Sequence, residues 1–110
     1  MGKFKPKGSV HLGPEAKLRA RIVKHLELMG WFVVVTHGSI FQVGLPDLFA
    51  THKQWGSRWI EIKRREAYVF TPAQKDVFKR LCENGSGVWV MMDESEYDCL
   101  FKPPNWEKFL

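Results

Sequence analysis

The stretch from Val43 to Lys63, VGLPDLFATHKQWGSRWIEIK, limits what this chain can fold into more than any other part of it. Side chains in a strand alternate faces, so in Arg58-Trp59-Ile60-Glu61-Ile62-Lys63 the two isoleucines go one way while Trp59, Glu61 and Lys63 go the other. One face is built to pack, and the other carries an acid beside a base. Upstream, Gly44-Leu45-Pro46-Asp47 makes a proline turn ahead of a second apolar run, Leu48-Phe49-Ala50. The polar segment from His52 to Ser57 predicts the loop of a hairpin between these runs. Asp47, at the mouth of the first strand, then approaches Glu61 on the second.

Two carboxylates brought together in this way offer the hard oxygen ligands that Mg2+ or Mn2+ prefers. Mg2+ is usually held by one or two carboxylates together with waters and phosphate oxygens. The main-chain carbonyl of Ile62 is a further candidate ligand. Each residue also has a plain reading: Asp47 as a turn residue after a proline, Glu61 and Lys63 as the solvated face of a half-buried strand.

The ordered set Glu15, Gly44-Leu45-Pro46-Asp47, Glu61-Ile62-Lys63 and Thr71-Pro72-Ala73-Gln74 resembles the PD-(D/E)XK nuclease signature. With Gln74 downstream of the GxPD turn, it is similar to the virus-type replication-repair nuclease (VRR-NUC) branch. The similarity runs from about Glu15 to Met92. An ExK triplet alone is frequent by chance, and the ordered set is much more specific. The resemblance implies a restriction-endonuclease-like αβββαβ core and hydrolysis of DNA phosphodiesters with Mg2+ or Mn2+ as cofactor. It assigns Asp47 and Glu61 to the metal, with Glu15 assisting from the first helix. Lys63 would position or help deprotonate the attacking water, and Gln74 would orient it. It further implies branched or flapped DNA as partner, in replication, repair or recombination, with a phage or mobile element as one setting, and a homodimer as one arrangement, because a junction offers two symmetric strands. The rival expectation is a catalytically silent DNA-binding module on the same fold.

Composition agrees with a basic, packed domain. At 110 residues the chain has room for one core, and 45% hydrophobic content with five tryptophans argues against disorder. A formal charge of +5 favours a polyanionic partner. Two cysteines, Cys82 and Cys99, form no CxxC or Cys/His cluster, so neither a disulfide framework nor a structural zinc site is expected. No signal peptide or membrane span is evident, and the expectation is a cytoplasmic protein with no membrane partner.

In chain order, residues 1–13 read as a basic arm, with Lys3, Lys5 and Lys7, and residues 14–110 as the domain. A first helix should start at Pro14 and stop near Gly30, with Leu18, Ile22, Leu26 and Met29 as its apolar stripe. Glu15 falls on that stripe, where an acid needs a partner or a frayed, dipole-stabilised first turn. Lys17, Arg19, Arg21 and Lys24 lie on the outer side, where they could grip phosphates or simply be solvated. Trp31 to Thr36 reads as a buried strand. His37 to Val43 is a connection in which His37 and Ser39 carry no assigned role. Arg64 and Arg65 extend the basic run and, with Lys17 and Arg21, are the candidate nucleic-acid contacts.

Thr71, Pro72 and Gln74 form a capping box for a second helix with Val77, Phe78, Leu81 and Cys82 on its apolar side. Gln74 is therefore contested between cap and site. Val88 to Met92 reads as a strand reached by a parallel crossover. The acids Asp93, Glu94 and Glu96 would repel DNA, so that edge is expected to face away from it. A closing turn from Asn105 should pack Trp106 and Phe109. The sum is an α/β or α+β domain with a central mixed sheet flanked by helices.

Overall fold

The computed structural model describes residues 13–38 and 42–110. The expected basic arm falls, apart from Gly13, outside these residues, as does Ser39. Six elements occur in the predicted order: α1 (Pro14–Leu28), β1 (Phe32–Val35), β2 (Leu48–His52), β3 (Gly56–Ile62), α2 (Pro72–Glu83) and β4 (Val88–Met91). Two 3-10 segments follow, Glu94–Phe101 and Trp106–Phe109. The strands form one mixed sheet in the order β1-β2-β3-β4. The first three are antiparallel and β4 joins β3 in parallel, as a strand reached through a helix does.

Alternation along the strands sorts the core into two layers. Leu48, Ala50, Ile60, Ile62, Trp89 and Met91 face α1 through Leu18, Ile22 and Leu26, with Leu100 closing the layer. Val88, Val90 and Met92 face Phe70, Phe78 and Trp106 on the α2 side. Glu61 and Lys63 point into this second layer, as their register with Trp59 requires. They are not a solvated face, because α2 covers them: both are buried.

The helix ends follow local chemistry. Gly30 at φ +95° ends the α1 turn, and Asn84 with Gly85 at φ +93° ends α2. Thr71 caps α2 with both arms of the capping box formed.

Two expectations about α1 and β1 are corrected. Met29 lies beyond the last helical residue and is exposed, so the stripe ends at Leu26. The strand β1 is not buried: Phe32, Val34 and Val35 are exposed and only Trp31, which precedes it, is sunk in the core. An all-apolar run says that a strand wants cover but not where it falls in the sheet, and β1 lies at the edge. The opposite edge is protected, since Asn105 closes over β4, its Oδ1 accepting from Val90 N–H at 2.7 Å and its Nδ2 donating to Val90 O at 3.3 Å. Among the described residues no helix is long and apolar enough to cross a membrane.

Candidate active site

The pairing of β2 with β3 sets Leu48 opposite Ile60, so Asp47 and Glu61 face each other one step further on. There the side chains take over from the main-chain ladder. Asp47 Oδ2 accepts from Ile62 N–H at 3.0 Å, and Glu61 Oε1 accepts from Asp47 N–H at 3.1 Å. This reciprocal pair fixes both carboxylates at the mouth of the hairpin, with Asp47 5% and Glu61 1% exposed. Burying two acids side by side is costly. Burial pushes the Glu61 carboxyl up to about 7, and the Asp47 charge adds to the rise while Lys63 opposes it.

Lys63 supplies that opposition at short range. Its Nζ lies 3.1 Å from Glu61 Oε2, donates to Gln74 Oε1 at 3.2 Å and to Val69 O at 2.7 Å, and sits 4.8 Å from the centre of the Phe70 ring. Three acceptors for three N–H donors hold the ammonium in one orientation. Gln74 serves both of its contested roles, with one atom for each. Its Oε1 accepts from Thr71 N–H at 2.9 Å to close the capping box, while its Nε2 donates to Glu61 Oε2 at 2.9 Å. The cap and the site need the same rotamer, because the first turn of α2 lies directly over the Glu61 carboxylate.

Gly44 makes this close approach achievable. It adopts φ +93°, and a Cβ placed there would stand 2.6 Å from Ala73 O in the first turn of α2. The Gly44→Ala variant should therefore lose about 2 kcal/mol or more of stability through backbone strain and the clash together. Thermal melting checks this, with Gly38→Ala as reference, since Gly38 has a similar φ of +80° but, among the described residues, nothing within 4 Å of its Cβ position.

His37, to which its connecting segment assigns no role, belongs to the site. Its Nδ1 lies 2.8 Å from Asp47 Oδ1, its N–H donates to Asp47 O at 3.1 Å, and the neighbouring Thr36 N–H donates to the same carbonyl at 2.8 Å. Nothing in the local sequence signals this contact, which depends on β1 ending beside the start of β2.

Glu15, Asp47, Glu61, Lys63, Gln74 and His37 line one pocket of about 260 Å3. Glu15 is exposed rather than sunk in the core: it stands in the first turn of α1, ahead of Leu18, the first buried residue of the helix. Ile62 contributes its N–H to Asp47 and buries its side chain in the α1 layer. Among the described residues no three His, Cys, Asp or Glu side chains gather into a ready metal cage. The donor chemistry nevertheless suits a hard divalent cation, since two converging buried carboxylates, once both are ionised, carry more negative charge than one lysine offsets, and such ions complete their shells with water and phosphate oxygens.

Lys17, Arg21, Arg64 and Arg65 do not line this pocket. They come together in a neighbouring cleft of about 720 Å3. Of the acids expected to face away, Asp93 lines this cleft, and the other two reach its arginines: Glu94 pairs with Arg21 and Glu96 with Arg65. Sequence separations of 73 and 31 residues hid these pairs.

No family model matches the sequence, and no curated protein matches it either. A solved structure described as a VRR_NUC domain superposes with a TM-score of 0.65 at 20% identity, covering 80% of this chain and 94% of that one. The two architectures therefore match over most of both chains, and this protein has the VRR-NUC fold.

Proposed function

We propose that this domain is a metal-dependent nuclease that hydrolyses DNA phosphodiester bonds, selecting branched or flapped structures. The observation that carries the reading is the buried Asp47–Glu61 pair, held by reciprocal main-chain hydrogen bonds and flanked by Lys63 and Gln74 in one pocket. Likeness to a VRR_NUC domain supports it at the level of fold. Asp47 and Glu61 would hold Mg2+ or Mn2+, with Glu15 and the Ile62 carbonyl as further ligands. Such an ion lowers the pKa of bound water and neutralises phosphate oxygens.

The chain's own groups have distinct tasks in this proposal. The Asp47 N–H and Gln74 Nε2 orient the two Glu61 oxygens, and His37 and Ile62 N–H orient those of Asp47. The Lys63 ammonium, fully engaged as a donor, offsets negative charge building on the phosphate. That role fits its contacts better than taking a proton from water. Gln74 couples the α2 terminus to the site, so a phosphate entering near Lys63 meets a positive charge already fixed in place.

Cleavage of a labelled four-way junction, a flap and plain duplex, each titrated with Mg2+ or Mn2+, tests the reading. Metal-dependent cutting favouring the branched substrates is expected. Binding without cutting under every metal condition would replace it with a silent DNA-binding module.

A further inference from the structure

Beside the carboxylate pocket, the cleft lined by Lys17, Arg21, Arg64, Arg65, Met92 and Asp93 brings four cations from two distant segments to one surface. Glu66 and Asp93 are the acids that line it, and two further acids, Glu94 and Glu96, pair with its arginines. Arg21 Nε lies 3.2 Å from both oxygens of Glu94, and Arg65 Nη2 pairs with Glu96 Oε2. Glu96 is anchored by its other oxygen, which accepts from Met92 N–H at 2.8 Å. Arg64 Nη2 stands 3.5 Å from Glu66, and its Nε–H is buried without an acceptor among the described residues. The Asp93 carboxylate turns back onto Ser95 N–H at 3.0 Å, which holds it below the usual carboxylate range.

A carboxylate and a phosphodiester present the same face to a guanidinium: one negative charge spread over two oxygens. We propose that this cleft binds a nucleic-acid phosphate other than the scissile one, and that Glu94 and Glu96 are its built-in competitors, displaced when the strand enters. The inference rests on the nucleic-acid substrate proposed above.

Three features make the exchange inexpensive. The Arg21–Glu94 and Arg65–Glu96 pairs are solvent-exposed, with side chains 52% and 33%, and 65% and 29% accessible, so each contributes little on its own. A released carboxylate regains water. Arg64 gains an acceptor for its Nε–H once the side chain turns to meet the phosphate. The cleft and the carboxylate pocket also share the first turn of α1, with Pro14 and Lys17 lining one and Glu15 the other. One strand can therefore reach both.

Fluorescence anisotropy of a labelled DNA strand, with chelator present so that nothing is cut, tests the exchange. Glu94→Gln should tighten binding about threefold. Glu83→Gln, the same change of charge on α2 away from the cleft, should leave it unchanged. The gain from Glu94→Gln should vanish in an Arg21→Ala background, and Arg21→Ala alone should lower the salt slope by about one. Equal gains from Glu94→Gln and Glu83→Gln, or a gain that survives in Arg21→Ala, would overturn the proposal, as would no binding of DNA at all. Comparing 5′-phosphorylated with 5′-hydroxyl strands identifies the source: an effect confined to the former assigns a terminal phosphate, and an equal effect assigns an internal one. Cleavage reports on Asp47 and Glu61 and chelated binding reports on the cleft, so the two readings fail separately.

Discussion

Replacing Glu61 with glutamine should reduce metal-dependent cleavage by about a thousandfold or more while leaving the domain folded, in the range seen when a group stabilising developing charge is lost. Two effects combine. The amide removes a negative charge from the proposed cation site, and its NH2 must face either Asp47 N–H or the donors on Lys63 and Gln74, which now lack one acceptor. Asp47→Asn acts in the same direction: it too removes a charge, and its NH2 must face either Ile62 N–H or the His37 Nδ1, which accepts only when the imidazole proton moves to Nε2. Circular dichroism alongside the cleavage assay separates lost chemistry from lost fold. Full activity in either folded variant would remove the carboxyl pair from the mechanism and return both residues to a structural role.

The second large effect concerns pH and stability without added metal. Glu61 holds its proton up to about pH 7 in the fold, against 4.5 for an ordinary glutamate, chiefly because it is buried and next because of the Asp47 charge. The folded state thus binds more protons than the unfolded chain between these values, and stability falls as pH rises through that window. The contribution is complete below about pH 4.5 and is lost above about pH 7, on the order of 3 kcal/mol. For a domain of this size the melting temperature should drop by roughly 10–20 °C between pH 5 and pH 8 in chelator.

Glu61→Gln should flatten this dependence, because it cannot titrate. A divalent cation bound by the carboxylate pair should recover about 3 kcal/mol at pH 8 when present at a hundred times its dissociation constant, and much less at pH 5, where a proton must leave first. Melting curves at several pH values, with and without Mn2+, give all three results. A flat profile for the unsubstituted protein would show that the Glu61 proton is not held in the way the burial of this site requires.

Much of the arrangement is legible in local sequence because its causes are local. Thr71, Pro72 and Gln74 specify the start of α2 whatever lies around it, and Gly85 specifies its end. The period of two in Trp59 to Lys63 decides which side chains share a face, and the proline turn before Leu48 decides which acid stands at the hairpin mouth. The convergence of Asp47 and Glu61 follows from those two facts together.

What local sequence could not carry is anything fixed by which elements become neighbours. The run Phe32–Val35 has the composition of a central strand, yet the sheet leaves it at an edge. His37 acquires a role only because β1 ends beside Asp47, and Gly44 only because α2 descends onto its turn. Glu94 and Glu96 sit on the very arginines that the sequence offered to DNA, across separations that no periodicity spans. The sequence by itself determined the elements, their order and the chemical character of each face, since backbone dihedrals and side-chain alternation are set over a few residues. Tertiary structure alone decided which charges meet and which are buried, because burial and Coulomb energy depend on distances through space that chain order does not encode.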